Sequence, residues 1–370
     1  MKTYHFFPVF LLLVASYIGL HFYAARWLAR SFAIAAPAAA WLRLLLLTAA
    51  FASPFIMFLK RHYHGQPFEA LYAAGYAWMG IILLAAFAFA ISDLAALFIR
   101  NAAWFQPRQY AFFTLGALGL VLAWAVYGGQ RTPPIKPVTV TFKDLPPQLD
   151  GFRIAQISDM HVDSAWKLRQ FAGIVEEINA AKPDLVLVTG DLIDPGIACR
   201  EDLRDLTGKI NSRLGLYGAL GNHEYYYGLE NAMACYKAFG IKLLKNDAAD
   251  LGELRLIGLG DIHTEHLTRE DVVAILNAHK DGKFTLLMSH QPVFYKDIAS
   301  TGEYMGFSGH THRGQIFPFH IFTWLFYRDF YGLYRVGTSA FYVTSGAGTW
   351  GPPLRWLAPS EIPLITLKKG

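Results

Sequence analysis

Seven side chains able to bind a cation stand where apolar runs end. They are Asp159 and His161 in 157-ISDMHVD-163, Asp191 in 189-TGDLIDPG-196, Asn222 in 221-GNHE-224, His290 in 288-MSHQP-292, and His310 and His312 in 308-SGHTHRGQ-315. Most follow a Gly or Ser, small residues that let backbone approach a ligand closely. Asp159 and His161 are two apart, as are His310 and His312, and in extended backbone that spacing puts both side chains on one face. The donors are carboxylate, amide and imidazole, with no thiolate. That mixture favours Mn, Fe, Zn or Co over a structural zinc. Seven such donors exceed what one four-coordinate ion uses and suit two ions sharing a bridging carboxylate. Taken singly, an Asp after a strand is a turn or cap residue and a His a satisfied polar group. Five separate strand ends carrying ligand types together are what point to a metal centre.

The elements that must position these residues are legible as well. Beyond residue 150, apolar runs of strand length occur at 153–157, 185–189, 216–220, 255–259, 284–288 and 304–307, with further ones at 334–336, 341–344 and 362–367. Helical patterns lie between several of them, among them 164–182 with Ser164 at its start and 268–280 with Thr268 and Asp271 as a capping box. Strand and helix in alternation predict an α/β domain, and in such sheets ligands gather at the carboxyl ends of strands.

Residues 1–130 are of another kind. Apolar runs at 6–25, 34–59, 70–92 and 110–127 each approach or exceed the roughly 20 residues of a spanning helix. An all-α transmembrane domain of about four helices is expected over 1–130, a Pro-rich linker and first strand over 131–150, and the α/β domain over 151–370. Residues 1–130 hold eight Lys or Arg against two acids, so the net charge of +5 sits wholly there and the remainder is near neutral. A nucleic-acid binder should carry its basic excess on the folded domain, which excludes nucleic acid as the expected partner. With the N-terminus inside, six basic residues flank the inner ends of the spans and four the outer ends, a lean towards a cytoplasmic catalytic domain in a multi-pass protein of the cell membrane. Arg43 and Asp93, within apolar runs, are expected to snorkel outward from span ends. Cys199 and Cys235 show no framework spacing, and two free core thiols are expected.

In their order and intervals, DMH, GDLID, GNHE, SH and GHTH resemble the calcineurin-like metallophosphoesterase family, over about residues 138–367. The resemblance implies a four-layer α/β/β/α sandwich with two divalent metal ions at the sheet edges. Motif by motif, Asp159, His161 and His312 would hold the first metal, Asn222, His290 and His310 the second, and Asp191 would bridge them. His223 would be the catalytic His, protonating or stabilising the leaving oxygen, with Asp194 orienting it. Paired divalent ions lower the pKa of a bridging water and clamp phosphoryl oxygens. Two departures bear on substrate. Pro195 stands where phosphoprotein phosphatases carry a phosphate-gripping Arg. Arg313 stands where the membrane-associated bacterial branch commonly has Gly, and its guanidinium is expected to contact substrate phosphate. The passage 345-SGAGTWGPPLRW-356 also resembles that branch, which includes phosphodiesterases acting on envelope lipids and UDP-diacylglucosamine pyrophosphatases. The aromatic-rich stretch 317–336 would suit an interfacial lip or acyl-chain groove. The expected function is hydrolysis of a phosphodiester or pyrophosphate bond in a lipid or lipid precursor by a metal-bridging hydroxide. The alternatives are a nucleotide phosphodiesterase merely anchored to the membrane and a non-catalytic membrane sensor with a structural metal domain.

Overall fold

The computed structural model describes residues 3–60, 63, 66–194 and 199–370; Pro195, singled out above, lies outside them. The chain divides into two compact units, one of residues 1–127 with 351–354, the other of 128–350 with 355–370.

The first unit is helical: α1 (Thr3–Ser31), α2 (Ala36–Lys60), α3 (Gln66–Ile99) and α4 (Pro107–Gln130). All four are long and apolar enough to cross a membrane. In lipid a backbone must satisfy its own hydrogen bonds, and uninterrupted helix does so. Interhelical contacts are specific: Trp27 stacks on Phe89 with centroids 3.9 Å apart, Trp78 Nε1 donates to His21 Nε2 (3.0 Å), and Tyr110 OH donates to the Ser92 carbonyl (3.0 Å). Asp93 departs from expectation. It accepts a hydrogen bond from Tyr23 OH (2.9 Å) and pairs with Arg30 rather than snorkelling alone, because α1 brings two donors to it. Arg43 is exposed.

The second unit begins with β1 (Ile135–Phe142), β2 (Arg153–Ile157), α5 (Ala165–Ala181), β3 (Leu185–Thr189), α6 (Glu201–Thr207), β4 (Leu216–Ala219), α7 (Asn222–Tyr227), α8 (Leu229–Ala238) and β5 (Lys242–Leu243). It continues through β6 (Asp247–Leu251), β7 (Leu254–Gly258), α9 (Arg269–Ala278), β8 (Phe284–Met288), α10 (Tyr295–Thr301), β9 (Tyr304–Ser308), α11 (Phe319–Phe326), β10 (Gly332–Val336), β11 (Ser339–Val343) and β12 (Ile362–Lys369). Two six-stranded sheets result, ordered β1-β12-β2-β3-β4-β5 and β10-β11-β9-β8-β7-β6.

Alternation along the strands builds the layers, since successive side chains face opposite sides. On β3, Leu185 and Leu187 join Leu256, Leu286 and Met288 of the other sheet in one buried core, while Val186 and Val188 pack with Phe171, Ile174 and Ile178 of α5. On β8, Leu286 and Met288 face the first sheet, and Leu287 packs with Val272 and Leu276 of α9. Helices therefore cover both outer faces, and the α/β/β/α sandwich is realised. β5 and β6 carried no strand signal, being short or polar; β6 is held as the antiparallel edge partner of β7. The two cysteines correct another expectation. Cys199 and Cys235 are disulfide-bonded, with Cα atoms 4.8 Å apart. α8 brings Cys235 beside the turn that precedes α6, a meeting of residues 36 apart that no spacing rule encodes. Protein denatured under a thiol-trapping reagent is expected to yield no labelled cysteine, and two after reduction; two without reductant would refute the pairing.

Candidate metal centre and active site

β2, β3 and β4 run parallel in one sheet, and β7, β8, β9 and β11 in the other, so every strand that ends in a candidate residue ends at the same rim. The way the chain leaves those strands was not foreseen. Asp159, His161, Asp191, His310 and His312 all have positive φ, between 47° and 69°. The paired residues thus share a pocket through left-handed turns, not through extended backbone. Each such conformation costs a non-glycine residue about 1 kcal/mol or more and collects at functional sites. Glycine makes room beside them. A Cβ at Gly221 would come within 2.2 Å of Asp191 Oδ1 and 2.8 Å of His290 Nε2, and one at Gly309 within 2.2 Å of Asp159 Oδ2.

The rim gathers the side chains into adjoining groups: Asp159, His161 and His312; His161, Asp194 and His223; Asp191, His290 and His310. His161 Nε2 and His312 Nε2 are 3.0 Å apart, and His312 Nε2 is 3.7 Å from Asp159 Oδ1. His310 Nδ1 lies 3.2 Å from His290 Nε2. Asp191 Oδ2 sits 3.2 Å from His290 Nε2 and 3.7 Å from His161 Nε2, between two groups. The donor set fits divalent cations. Asp159 Oδ2 and Asn222 Oδ1 are buried without a hydrogen-bond partner, the state of ligand atoms reserved for an ion. His290 Nδ1 donates to the Thr189 carbonyl (2.8 Å), which leaves the Nε2 lone pair for ligation.

Charge follows geometry. Burial pushes Asp159 up, with the Asp191 charge adding to it and the charges of His290 and His161 opposing. For Asp191 burial acts the same way but is outweighed by His290 and His161, and its carboxyl is held below the usual range. His310 is driven down to about 3, by burial first and then by the charge on His290. Asp194 Oδ1 is 2.5 Å from His223 Nδ1 and 3.3 Å from His161 Nδ1, so one carboxylate orients both rings. Burial lowers the His223 pKa, but the Asp194 hydrogen bond and the Asp191 charge prevail and raise it to about 9. Two exposed aromatics flank His223, Tyr226 with centroids 5.3 Å away and Trp350 at 5.8 Å.

Comparison with known proteins agrees with this geometry. Residues 152–314 match the family described as calcineurin-like phosphoesterase. A metallophosphoesterase of Campylobacter jejuni is 35% identical over 265 residues, 69% of each chain. This chain belongs to the calcineurin-like metallophosphoesterases. A Helicobacter pylori metallophosphoesterase is 35% identical over 65% of this chain, and the match spans just under two thirds, 65%, of that relative's length. A zebrafish protein, described as a transmembrane protein with a metallophosphoesterase domain, is 32% identical over 69% of this chain and 63% of its own. Metal-dependent phosphoester hydrolysis is the chemistry of the family, and the cluster above is this chain's candidate metal centre.

Three supporting residues escaped the sequence reading. Glu224, fully buried, accepts hydrogen bonds from the backbone N–H groups of Asp191 (2.9 Å), Leu192 (2.9 Å), Ile193 (3.3 Å) and Gly221 (2.8 Å), and from Tyr236 OH (3.1 Å). It ties the Asn222 loop to the Asp191 loop. Burial and the Asp191 charge raise it to about 7, against the pull of the N–H groups. Arg355, 2% exposed, donates to the carbonyls of Ser345 (2.8 Å), Gly348 (2.9 Å) and Ala358 (3.0 Å) and lies 3.3 Å from His312 Nδ1. Burial brings its pKa down to about 10, which leaves it a cation at neutral pH behind His312. Asp261, at the end of β7, is buried with Oδ2 unpartnered, and its charge helps hold the His290 pKa up against burial. The pattern that marked the other strand ends was present in 258-GLGD-261. Arg355 lies within 345-SGAGTWGPPLRW-356, but nothing local marks it as the residue behind His312. Arg313 stacks on Tyr331, its guanidinium 4.1 Å from the ring centroid.

Removing the Glu224 carboxylate leaves four buried N–H groups of the two loops unpaired. Glu224→Ala is expected to lower unfolding stability by about 3 kcal/mol or more and to reduce bound divalent metal, read by melting curves and elemental analysis.

Proposed function

We propose that this chain is a membrane-anchored dimetal phosphoesterase that hydrolyses a phosphodiester or pyrophosphate bond of a lipid or lipid precursor. The observation that carries the reading is Asp191 Oδ2 standing between His161 Nε2 (3.7 Å) and His290 Nε2 (3.2 Å), one carboxylate oxygen shared by two ligand groups. Asp159, His161 and His312 would hold one ion and Asn222, His290 and His310 the other, with Asp191 common to both. Mn, Fe, Zn or Co suits these nitrogen and oxygen donors. When bound, such ions supply Lewis-acid stabilisation of phosphoryl oxygens and a water acidic enough to act as nucleophile at neutral pH.

The chain's own residues supply orientation and proton transfer. Asp194 fixes the His223 ring through Nδ1, which leaves Nε2 to give a proton to the departing oxygen. Trp350 and Tyr226 narrow the approach to that ring. Arg313, its guanidinium over the Tyr331 ring, would serve as a phosphate-binding cation. The four spanning helices and the aromatic surface after His312 support a lipid substrate over a soluble nucleotide.

For orientation, the count of flanking charges leans cytoplasmic by only two charges, whereas a Cys199–Cys235 disulfide would suit an oxidising compartment. Against the cytoplasmic lean of the charges, we propose that the catalytic domain lies on the non-cytoplasmic face of the cell membrane. An alkaline phosphatase fusion after Gly370 is expected to be active; an inactive one, beside a fluorescent green fluorescent protein fusion, reverses the assignment.

The decisive assay is a phosphodiester screen of the metal-loaded full chain, comparing phospholipids in bilayer nanodiscs with soluble cyclic nucleotides. His223→Ala is expected to lower kcat roughly a hundredfold or more with metal retained, whereas Asp191→Asn should lose metal. Arg313→Ala should raise KM with little change in kcat. Hydrolysis of nucleotides alone, or full activity in His223→Ala, would sink the reading.

A further inference from the structure

Helix α11 is polar on the side it buries and apolar on the side it shows. Its sequence, FHIFTWLF, has two polar residues, and these are the ones turned inward. Thr323 is 9% exposed, its hydroxyl donating to the Phe319 carbonyl (3.2 Å). His320 is half-buried, with Nε2 3.2 Å from the Leu357 carbonyl. The other six, Phe319, Ile321, Phe322, Trp324, Leu325 and Phe326, are between 51% and 79% exposed. A helix on a water-facing surface shows the reverse pattern. Six large side chains open to this degree present on the order of 600 Å², the upper end of the largest apolar patch on a soluble monomer.

The helix is held firmly beside the metal centre. The turn His312–Gly314 packs against it so closely that a Cβ at Gly314 would come within 2.6 Å of the His320 Cα. At its far end Tyr327 lies 5.4 Å, centroid to centroid, from His310. Arg328, exposed, follows. Aromatic and aliphatic residues on one surface, with a Tyr and an Arg at its border, form the composition that settles at the headgroup level of a bilayer. The chain itself names the nearest such surface, since only residues 131–134 separate spanning helix α4 from β1.

We propose that α11 is an interfacial helix that lies in the headgroup region of the membrane crossed by α1–α4 and holds the metal-centre cleft against lipid phosphates. The consequence for substrate supply rests on the lipid reading above; the insertion of the helix does not. Substrate would then enter sideways from the leaflet, its phosphoester reaching the rim while its chains stay in the bilayer.

The test uses the full chain in nanodiscs, with Phe326→Cys carrying an environment-sensitive fluorophore. Glu253→Cys, on the β6–β7 turn at the opposite ends of the strands from the metal centre, is the control. The native cysteines, being paired, do not compete for label. The expected result is blue-shifted emission at position 326, quenched at least fivefold more strongly by brominated lipids than by aqueous iodide, with the reverse at 253. Equal behaviour at both positions, or a blue shift that brominated lipids do not quench, as at a contact with a protein or a second copy, overturns the proposal. The triple variant Phe322→Ser, Leu325→Ser and Phe326→Ser should turn over nanodisc phospholipid at least tenfold more slowly while soluble bis(p-nitrophenyl) phosphate stays within twofold. An equal loss on both substrates would also count against it. Insertion of the label without lipid turnover in the unmutated chain would refute the lipid substrate and leave the interfacial helix standing.

Discussion

The buried rim of this domain holds Asp159, Asp191 and Asp194 together with His161, His290 and His312, nearly all removed from water. Taking a carboxylate out of water costs several kcal/mol unless opposite charge or donors replace the solvent. Protein donors meet only part of that requirement here. Asp194 is satisfied by two imidazoles, but Asp159 Oδ2 and Asn222 Oδ1 have none, and two pairs of imidazole nitrogens face each other at hydrogen-bond distance. Divalent cations would resolve both problems at once, and much of the surrounding structure keeps the candidate donors in place.

That service is carried by backbone as much as by side chains. Parallel strands from two sheets end on one edge, and left-handed turns at the candidate ligand residues bring their side chains together there. The strain is stored in loops that Glu224 and Arg355 fasten from beneath. One carboxyl group collects backbone N–H groups and one guanidinium collects carbonyls, so each buried polar group is solvated by the loops it organises. A buried charge with its full complement of partners tolerates little displacement, which suits ligands that must be held to tenths of an ångström.

Anchoring and catalysis meet through composition. The basic excess and the spanning helices occupy the first 130 residues, while the catalytic domain is electrically near neutral and exposes a single-minded apolar helix beside His312. On the proposed lipid reading, such an arrangement would concentrate a two-dimensional substrate at the cleft without a charged surface to attract soluble anions.

Local patterns determined much of this protein. Hydrophobic period and length gave the spanning helices, the strand–helix alternation and the capped start of α9, because these depend on neighbours within one turn or one strand; Ser164 stands at the start of α5, but its side chain makes no capping hydrogen bond. The types and order of the ligand residues were likewise local, since each sits directly after its own strand. Only tertiary structure could decide which oxygen of which Asp stands between two ligand groups, that Glu224 reaches across to the Asp191 loop, that Arg355 backs His312, that Cys199 meets Cys235, and that Asp93 finds Arg30 and Tyr23. These contacts join residues tens of positions apart, and two sequences with the same local pattern could make or miss them. For α11, composition suggested an interfacial lip over 317–336, but only the packing showed that Thr323 is buried and His320 half-buried while the six apolar side chains of the helix stay exposed.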